Sequence, residues 1–158
     1  MRPKPTSRKI ASLRRLLRLR AGWKRARRKV VFTNGVYDIL HPGHIMLLEK
    51  ARALGDVLVL GVNSDKSARG LNKKGPRRPV NKLKDRMLVL AALSAVDAVI
   101  AFGEDTPARL LSRLKPDIQV KGGDYKPHQV PESVHAGKLV LVPLKKGYST
   151  TKLLRRLK

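Results

Sequence analysis

The stretch VVFTNGVYDILHPGH, residues 30–44, runs from an apolar segment into a loop that ends with two histidines. Its first four residues, Val30 to Thr33, are β-branched or aromatic, which favours a buried strand. Pro42 suits the first position of a helix, and the apolar residues after it have helical spacing. Those apolar residues are Ile45, Leu48 and Ala51. A strand that passes through a short loop into a helix is the first half of a parallel βαβ unit.

The alternation of strands and helices continues along the rest of the chain. Apolar runs predict four further strands, at residues 56–62, 98–102, 117–121 and 139–143. Helical patterns occupy 82–95, 106–114 and the stretch from Ser149 or Thr150 to the end, whereas the polar, basic segment 63–79 has the length of a functional loop. We therefore predict an α/β fold: a doubly wound, Rossmann-like sheet of five parallel strands with helices on both faces. Such sheets bind ligands at the carboxyl ends of their strands, beside the switch in strand order.

The N-terminal residues predict a basic amphipathic helix ahead of the first strand. Ser7 is suited to cap this helix and Gly22 to end it, and the apolar positions between them follow helical spacing. These positions are Ile10, Leu13, Leu17 and Ala21. We expect the helix to cover part of the sheet, and we treat residues 1–29 as an extension of the domain that begins at Val30.

Length and composition exclude several classes of protein. The 158 residues are enough for one hydrophobic core, and a hydrophobic content of 42% excludes a wholly disordered chain. No apolar run reaches the 18 or so residues of a transmembrane helix, and the absence of Cys excludes disulfides, thiolate zinc sites and cysteine nucleophiles. The basic N-terminus lacks the apolar core of a secretion signal. We therefore expect no membrane span and a cytoplasmic location.

The charge of the chain is far from balanced. Its 36 Lys and Arg residues face 11 Asp and Glu residues, which gives a net charge of +25. Residues 1–29 hold 13 of the basic residues and no acid, and no acid follows Glu132. Such a surplus attracts polyanions and nucleotide-like ligands from a distance. The carboxylates all lie in the middle of the chain, and we expect the specific chemistry there.

Two histidines at the start of the predicted helix are the candidate catalytic groups. His41 and His44 are three residues apart and therefore share one face of that helix. Gly43 allows a ligand to approach the backbone, and the free N–H groups of a helix start favour phosphate. Imidazoles that donate to nonbridging phosphate oxygens, as charge grows in the transition state, suit phosphoryl or nucleotidyl transfer. Two other interpretations stay open: a zinc site, although the spacing is not HExxH and no third ligand is evident, and a structural histidine pair.

The string FTNGVYDILHPGH resembles the HxGH nucleotidyltransferase superfamily, which includes cytidylyltransferases and adenylyltransferases. Five further segments, in order along the chain, are similar to the bacterial D-glycero-D-manno-heptose 1-phosphate adenylyltransferases. They are GVNSD at 61–65, KGPRRPVN at 74–81, DRMLVLAAL at 85–93, VKGGDY at 120–125 and GYSTT at 147–151. The resemblance implies a single nucleotidyltransferase domain over residues 30–158 and a homodimer. It further implies that ATP and a heptose 1-phosphate give ADP-heptose and pyrophosphate, with Mg²⁺ bound mainly through the ATP phosphates.

The matched motifs also imply roles for individual residues, with His41 and His44 as the catalytic pair. The residues implied for nucleotide binding are Phe32, Thr33, Asn34, Gly43, Lys74, Arg78, Gly147, Ser149, Thr150 and Thr151. The residues implied for binding the sugar phosphate are Asp38, Asp65, Arg86, Lys121, Gly123 and Asp124. Plainer interpretations stay open for some of them: a helix cap at Ser149 and its neighbours, a simple turn at residues 121–124, and local ion pairing of Arg86.

Two other functions stay open at this point. A cytidylyltransferase acting on another phosphorylated alcohol or polyol is one, although relatives that use CTP usually carry Arg where this chain has Leu144. A nucleic-acid-binding module is the alternative from another class, suggested by the Arg-rich first 29 residues. Aromatic residues make up only 4% of the chain, which leaves few platforms for stacking bases. Nonspecific contact of the basic N-terminus with polyanions is expected, and contact with an anionic membrane surface is its alternative.

Overall fold

The computed structural model describes residues 5–71, 78–144 and 147–156, and five parallel strands form its single sheet. The strands are β1 (Val30–Gly35), β2 (Val57–Asn63), β3 (Ala98–Phe102), β4 (Ile118–Gly122) and β5 (Lys138–Val142). They lie in the order β3-β2-β1-β4-β5. The prediction of a doubly wound five-stranded parallel sheet is confirmed, and each strand lies within two residues of its predicted bounds.

Seven helices and two 3-10 turns connect and flank the described strands. The helices are α1 (Thr6–Lys9), α2 (Leu13–Arg25), α3 (Pro42–Arg52), α4 (Asp65–Leu71), α5 (Leu83–Ala92), α6 (Ala108–Leu114) and α7 (Thr150–Arg156). The turns span Pro127–Gln129 and Pro131–His135. Within the described part of the chain, no helix is both long and apolar enough to cross a membrane.

Alternate residues of each strand pack into cores on opposite faces of the sheet, as the two-residue period of a strand requires. The first core takes Val31 of β1 and combines it with side chains of α3 and α5, such as Leu48 and Leu90. The second core takes Phe32 of β1 and combines it with α2 and α6, including Leu16. Helices therefore cover both faces, which is why the strands read as continuous apolar runs.

The strand order places a crevice between β1 and β4. From β1 the chain adds β2 and β3 on one side, and it then returns to add β4 and β5 on the other side. The loops that follow β1 and β4 therefore start at the same end of the sheet and run in opposite directions. The crevice between two such loops is the usual ligand position in this fold. The two motifs that occupy these loops contain His41 and Gly123.

The prediction of one continuous helix from Ser7 to Gly22 is wrong. Ile10 instead forms a parallel bridge with Val99 of the edge strand β3, and the Ala11 N–H donates to the Val99 carbonyl at 2.9 Å. Pairing with a strand requires extended backbone, so the chain forms two helices with a break between them. The Ser12 side chain then caps α2 by accepting from the Arg15 N–H at 3.3 Å, and Gly22 lies inside α2.

Two further predictions need correction. Leu16 is the fully buried residue of α2, whereas Leu13 is exposed, because residues 10–11 are extended and reset the helical face after them. The polar segment 63–79 is not a loop throughout, since α4 occupies its first part. Residues 72–77 lie outside the described residues.

Candidate active site

His41 and His44 form a stack of two imidazole rings at the start of α3. Their ring centroids are 3.8 Å apart and the ring planes are inclined by 21°. His41 is the N-cap residue, with extended backbone, and His44 lies in the first helical turn. Nδ1 of each ring is buried and has no hydrogen-bond partner among the described residues. A neutral ring with its proton on Nε2 suits this arrangement, because only a lone pair is then buried and Nε2–H is left to donate to a ligand.

Both imidazoles are held neutral at pH 7. Burial lowers the pKa of His41. Burial also lowers the pKa of His44, and together with the neighbouring His41 ring, which repels a second proton, and the Arg78 guanidinium it brings that pKa from 6.5 to about 4. A neutral imidazole still donates a hydrogen bond through its N–H group. The guanidinium of Arg78 nearby is positively charged and favours the binding of an anion. The pair is therefore suited to receive an anion rather than to act as a base at neutral pH.

A cavity of about 250 Å³ opens beside the stacked rings. Its lining comes from α3 and the residue before it, the segment before α5, the segment after β5 and the start of α7. The residues are His41, Gly43, His44, Leu47, Arg78, Leu144, Tyr148, Ser149 and Thr150. A second cavity of about 400 Å³ shares His41, Tyr148 and Ser149 with it and continues along α7. The two cavities share three lining residues and together have the size of a nucleotide site.

Gly43 is the residue that keeps this region open. A Cβ atom at Gly43 would lie 3.0 Å from two ring atoms of His41 and 3.3 Å from Cβ of Tyr148. Tyr148 in turn lies parallel to His41, with a centroid distance of 6.3 Å. Sequence reasoning missed Tyr148, although it lies inside the quoted GYSTT motif. Only the folded chain shows that it borders the histidine pair.

Tyr37 is a second residue that sequence reasoning missed. Its ring is buried and meets His44 edge to face, with a centroid distance of 5.4 Å. Its backbone has a φ of 50°, in the left-handed region that non-glycine residues rarely adopt. Burial raises the pKa of Tyr37 to about 12, against a smaller lowering by the side chain of Thr33. A bulky residue held in this conformation, against a candidate catalytic ring, is typical of a functional constraint.

Asp38 ties the loop after β1 to the segment before α5. Its buried carboxylate accepts from the backbone N–H groups of Val80 and Asn81 at 2.9 Å, and its carbonyl accepts from the Asn81 side-chain amide at 2.7 Å. It also lies 3.7 Å from Nε of Arg78. The structure thus gives Asp38 partners within the protein, and one of them, Arg78, lines the cavity beside the histidines.

Arg86 and Asp65 are likewise joined to each other. The fully buried guanidinium of Arg86 donates to Asp65 at 2.7 Å, to the Val36 carbonyl at 2.6 Å and to the Asn81 carbonyl at 3.1 Å. One side chain therefore connects the loop after β1, the start of α4 and the segment before α5. Arg86 holds these three segments together, which agrees with the interpretation that it forms an ion pair within the protein.

Lys121 lies at the end of β4, across the crevice from β1. Its Nζ is 3.2 Å from the side-chain oxygen of Asn34 and 3.5 Å from the buried carboxylate of Glu132. It also lies 5.7 Å from the ring centre of Tyr125. Gly123 has a φ of 127°, so the turn after β4 needs a glycine there, and Asp124 beside it is exposed. The turn interpretation of residues 121–124 and the ligand interpretation of Lys121 are therefore compatible.

The GYSTT motif places its hydroxyls at the start of α7. The Ser149 side chain accepts from the Lys152 N–H at 3.2 Å and caps the helix, and the Thr150 hydroxyl is buried 3.4 Å from the Ile39 carbonyl. Gly147, with a φ of 103°, provides the turn before them. Thr151 follows within α7, and its side chain lies outside the described part of the structure. The capping interpretation of Ser149 is confirmed, while its position in the cavity keeps it within reach of a ligand.

The remaining predicted nucleotide-binding residues fall in different places. The side chain of Phe32 is fully buried in the second core, so only its backbone can face a ligand. Thr33 is also buried, and Asn34 reaches the crevice through its contact with Lys121. Lys74 lies outside the described residues.

The described residues do not offer Mg²⁺ a protein-built site. Mg²⁺ prefers oxygen ligands, whereas the cavity presents imidazole nitrogens and the Asp38 carboxylate is already bonded to backbone N–H groups. Over residues 5–71, 78–144 and 147–156, no three His, Asp or Glu side chains lie close enough together to hold a metal ion. We therefore assign no step of a reaction to a metal held by the protein, whether Mg²⁺ or zinc.

The chain is similar to known proteins over most of its length. Residues 32–156 match the model of a family described as cytidylyltransferase-like. The chain is 49% identical over 150 residues to the Bifunctional protein HldE of Helicobacter pylori, covering 95% of this chain and 31% of that protein. It is 50% identical over 133 residues to HldE of Klebsiella pneumoniae, covering 82% and 28%. The chain thus spans less than a third of the length of these curated relatives.

Solved structures show the same fold. The lipopolysaccharide core biosynthesis protein of Thermoplasma volcanium superimposes with a TM-score of 0.63 at 28% identity, over 77% of this chain and 99% of that one. The pantoate-beta-alanine ligase of Francisella tularensis gives 0.61 at 19% identity, over 87% and 67%, which is a likeness of fold alone. The family model covers most of the chain, and the curated relatives are about half identical across it. The chain therefore belongs to the cytidylyltransferase-like family of nucleotidyltransferases.

Proposed function

We propose that this chain transfers the adenylyl group of ATP to a heptose 1-phosphate and releases pyrophosphate. An oxygen of the sugar phosphate attacks the α-phosphorus of ATP, the bond from that phosphorus to the β-phosphate oxygen breaks, and ADP-heptose forms. The stacked, neutral pair His41 and His44, which opens on a cavity beside Arg78, carries this proposal. The HxGH string, the five further segments that resemble heptose 1-phosphate adenylyltransferases and the similarity to HldE support it.

The reaction asks the protein for alignment and charge neutralisation rather than for a base. A sugar phosphate is already an anionic nucleophile, so no proton has to be removed before attack. Nε2–H of His41 and His44 is suited to donate to the α-phosphate oxygens, whose charge grows in the transition state. Arg78 lies beside the pair, where a guanidinium can neutralise the departing pyrophosphate. Bound Mg²⁺ would neutralise further phosphate charge, and we propose that ATP carries it.

The second substrate belongs on the β4 side of the crevice. Lys121 lies at the end of β4 and Asp124 follows that strand, and Asn34 lies near the end of β1 in contact with Lys121. We assign Lys121 to the sugar phosphate, because it is the ammonium group held across the switch point from the histidines. Asp124 is exposed at the turn and is able to accept hydrogen bonds from sugar hydroxyls.

The resemblance to heptose 1-phosphate adenylyltransferases also leads us to propose a cytoplasmic homodimer. Sedimentation velocity of the purified protein measures the oligomeric state.

Leu144 supports ATP over CTP. Relatives that use CTP usually carry an Arg at this position. In this chain the apolar Leu144 lines the cavity and packs over Gly122, where a Cβ atom would lie 2.9 Å from it. It offers no donor to a pyrimidine carbonyl. The family description as cytidylyltransferase-like therefore names the fold of the domain rather than the base of its nucleotide.

The experiment is a substrate screen that measures pyrophosphate release. Purified protein with Mg²⁺ receives ATP or CTP, each combined with a heptose 1-phosphate or with glycerol 3-phosphate. We expect turnover with ATP and the heptose 1-phosphate, and a much smaller rate with CTP. Activity confined to CTP and the other phosphorylated alcohol would replace this proposal with the cytidylyltransferase alternative.

Variants of the histidine pair test which groups carry the reaction. His41→Ala and His44→Ala each remove one donor from the transition state, at a cost of about 3 kcal/mol or roughly 100-fold in kcat. His135→Ala changes a histidine outside both cavities and serves as the matched control. Loss of activity only through unfolding, seen by circular dichroism, would remove the catalytic assignment.

A further inference from the structure

The charge of this protein is concentrated on α2 and on the segment that leads from it into β1. Residues 13–29 contain nine Lys and Arg residues, seven of them Arg, and no acid. Some of these side chains have structural partners: Arg15 donates to the Ile10 carbonyl, Arg20 to the Leu114 and Lys115 carbonyls, and Arg28 to the Asp56 carbonyl. The others need an explanation outside the fold, because like charges four residues apart destabilise a helix.

Three arginines form a ridge along the outer side of α2. Arg14, Arg18 and Arg25 are spaced so that, at 100° per residue, they lie within about 40° of one another around the helix axis. Leu16 points to the opposite side and is fully buried in the second core. All three arginines are exposed, and none has a hydrogen bond or an ion pair with the described residues. The ridge is a row of guanidinium groups about 16 Å long.

A cationic cavity lies at the amino ends of β1 and β4, where the chain continues from Arg25 at the end of α2 through Arg27 and Arg28. It has a volume of about 250 Å³ and is lined by Arg20, Lys24, Arg27, Arg28, Lys29 and Asp117. The single carboxylate is already engaged, because Asp117 accepts from the Val30 N–H at 2.7 Å and lies 3.4 Å from Arg20. We call the ridge and this cavity together the basic face. The cavity lies at the end of the sheet opposite His41, whereas the ridge runs back along α2 from the carboxyl end of β3. No residue of the basic face lines either cavity beside His41, so the face is separate from the candidate active site.

We propose that the basic face binds the phosphodiester backbone of a nucleic acid, without sequence preference. Guanidinium groups match phosphate oxygens bidentately, and the face is built mainly from arginine. It offers no stacking platform, since Trp23 packs against the second core, so the contact is with the backbone rather than with bases. It also lacks the apolar side chains that insert into a bilayer, because no large hydrophobic residue between 14 and 29 is exposed.

The test is a salt titration of binding with a matched pair of variants. The probes are a fluorescein-labelled 20-base-pair duplex DNA, a single-stranded RNA of 20 nucleotides, and vesicles of phosphatidylglycerol with phosphatidylcholine. One variant carries Arg14→Gln, Arg18→Gln and Arg25→Gln. The control carries Lys50→Gln, Lys66→Gln and Lys84→Gln, which removes the same charge from three exposed positions on α3, α4 and α5. Circular dichroism and pyrophosphate release are measured on every protein.

The proposal expects the arginine variant to bind nucleic acid about 10- to 100-fold more weakly near 0.1 M salt. Its slope of log K against log salt falls by about 2 to 3, because three fewer counterions are released. The control keeps most of the affinity, and both variants keep wild-type turnover. Equal weakening in the two variants would show that net charge alone acts and would overturn the proposal. Binding to the vesicles without binding to either nucleic acid would also overturn it, in favour of a membrane surface.

Discussion

Three effects lower the pKa of the His44 imidazole together: burial, the neighbouring His41 and the guanidinium of Arg78. We predict a titration midpoint of about 4 for His44 in the free protein, measured by NMR and assigned with a His44→Gln variant. ATP should raise this midpoint, because phosphate oxygens favour the charged ring. A midpoint near 6.5 in the free protein, or no response to ATP, would contradict the geometry of the site.

The same shift has a consequence for stability. The folded protein binds fewer protons at His44 than the unfolded chain does, so its contribution to stability is complete above about pH 6.5. That contribution is lost as the pH falls from there towards 4. The His44→Gln variant should therefore show a weaker decline of the unfolding free energy across this window, measured by urea unfolding at several pH values.

Tyr37 acts at the residue scale through the ring it presents to His44. Tyr37→Phe keeps the edge-to-face contact and removes only the hydroxyl, so we expect kcat within about twofold of wild type. Tyr37→Leu removes the ring, and we expect kcat to fall about tenfold because His44 is no longer held, an effect of about 1 kcal/mol typical of an aromatic pair. Steady-state kinetics of the two variants test this, and an equal loss in both would assign the role to the hydroxyl instead.

At the scale of elements, α2 belongs to the core although its sequence resembles a solvated basic helix. Leu16→Ala leaves a cavity under α2, and we expect the free energy of unfolding to fall by about 3 kcal/mol. Leu13→Ala on the same helix is the control, and we expect its free energy of unfolding to fall by less than about 1 kcal/mol, since Leu13 is 37% exposed.

Removal of residues 1–22 spares every site motif, so turnover should survive at low temperature while thermal stability falls.

Contacts with Asp38 hold the segment at residues 78–81 in place. Asp38→Asn replaces one acceptor oxygen by an amide group that faces the backbone N–H groups of Val80 and Asn81. Charge-assisted hydrogen bonds of this kind contribute about 1.5 to 3 kcal/mol, so we expect kcat/KM for ATP to fall tenfold or more. Asp85→Asn, at an exposed carboxylate with no described partner, is the control. Unchanged kinetics in Asp38→Asn would show that Arg78 does not depend on this contact.

At the scale of the whole molecule, the net charge is +25, and both substrates that we propose are anions. Long-range attraction raises the rate of substrate encounter, and salt screens it over distances of about 10 Å at 0.1 M. We expect kcat/KM for ATP to fall as KCl rises from 50 to 500 mM, while kcat changes little because salt screens the encounter with the substrate and does not act on the bound complex. Parallel loss of both constants would point to a conformational effect of salt instead.

The sequence by itself determined where the five strands lie along the chain. Strands that are covered on both faces appear as continuous apolar runs, whatever their position in the sheet. It also determined the histidine pair, since a spacing of three residues at a helix start is a local property of the chain. Arg78 was reached only through the resemblance of its motif.

Tertiary structure alone decided the break between α1 and α2, because the partner of Ile10 is Val99, 89 positions away. It alone decided that Asp38 and Arg86 serve the loops, and that Tyr37 and Tyr148 border the histidines. These contacts join segments far apart in sequence, or depend on burial by several elements at once, and no local pattern of residue types records them.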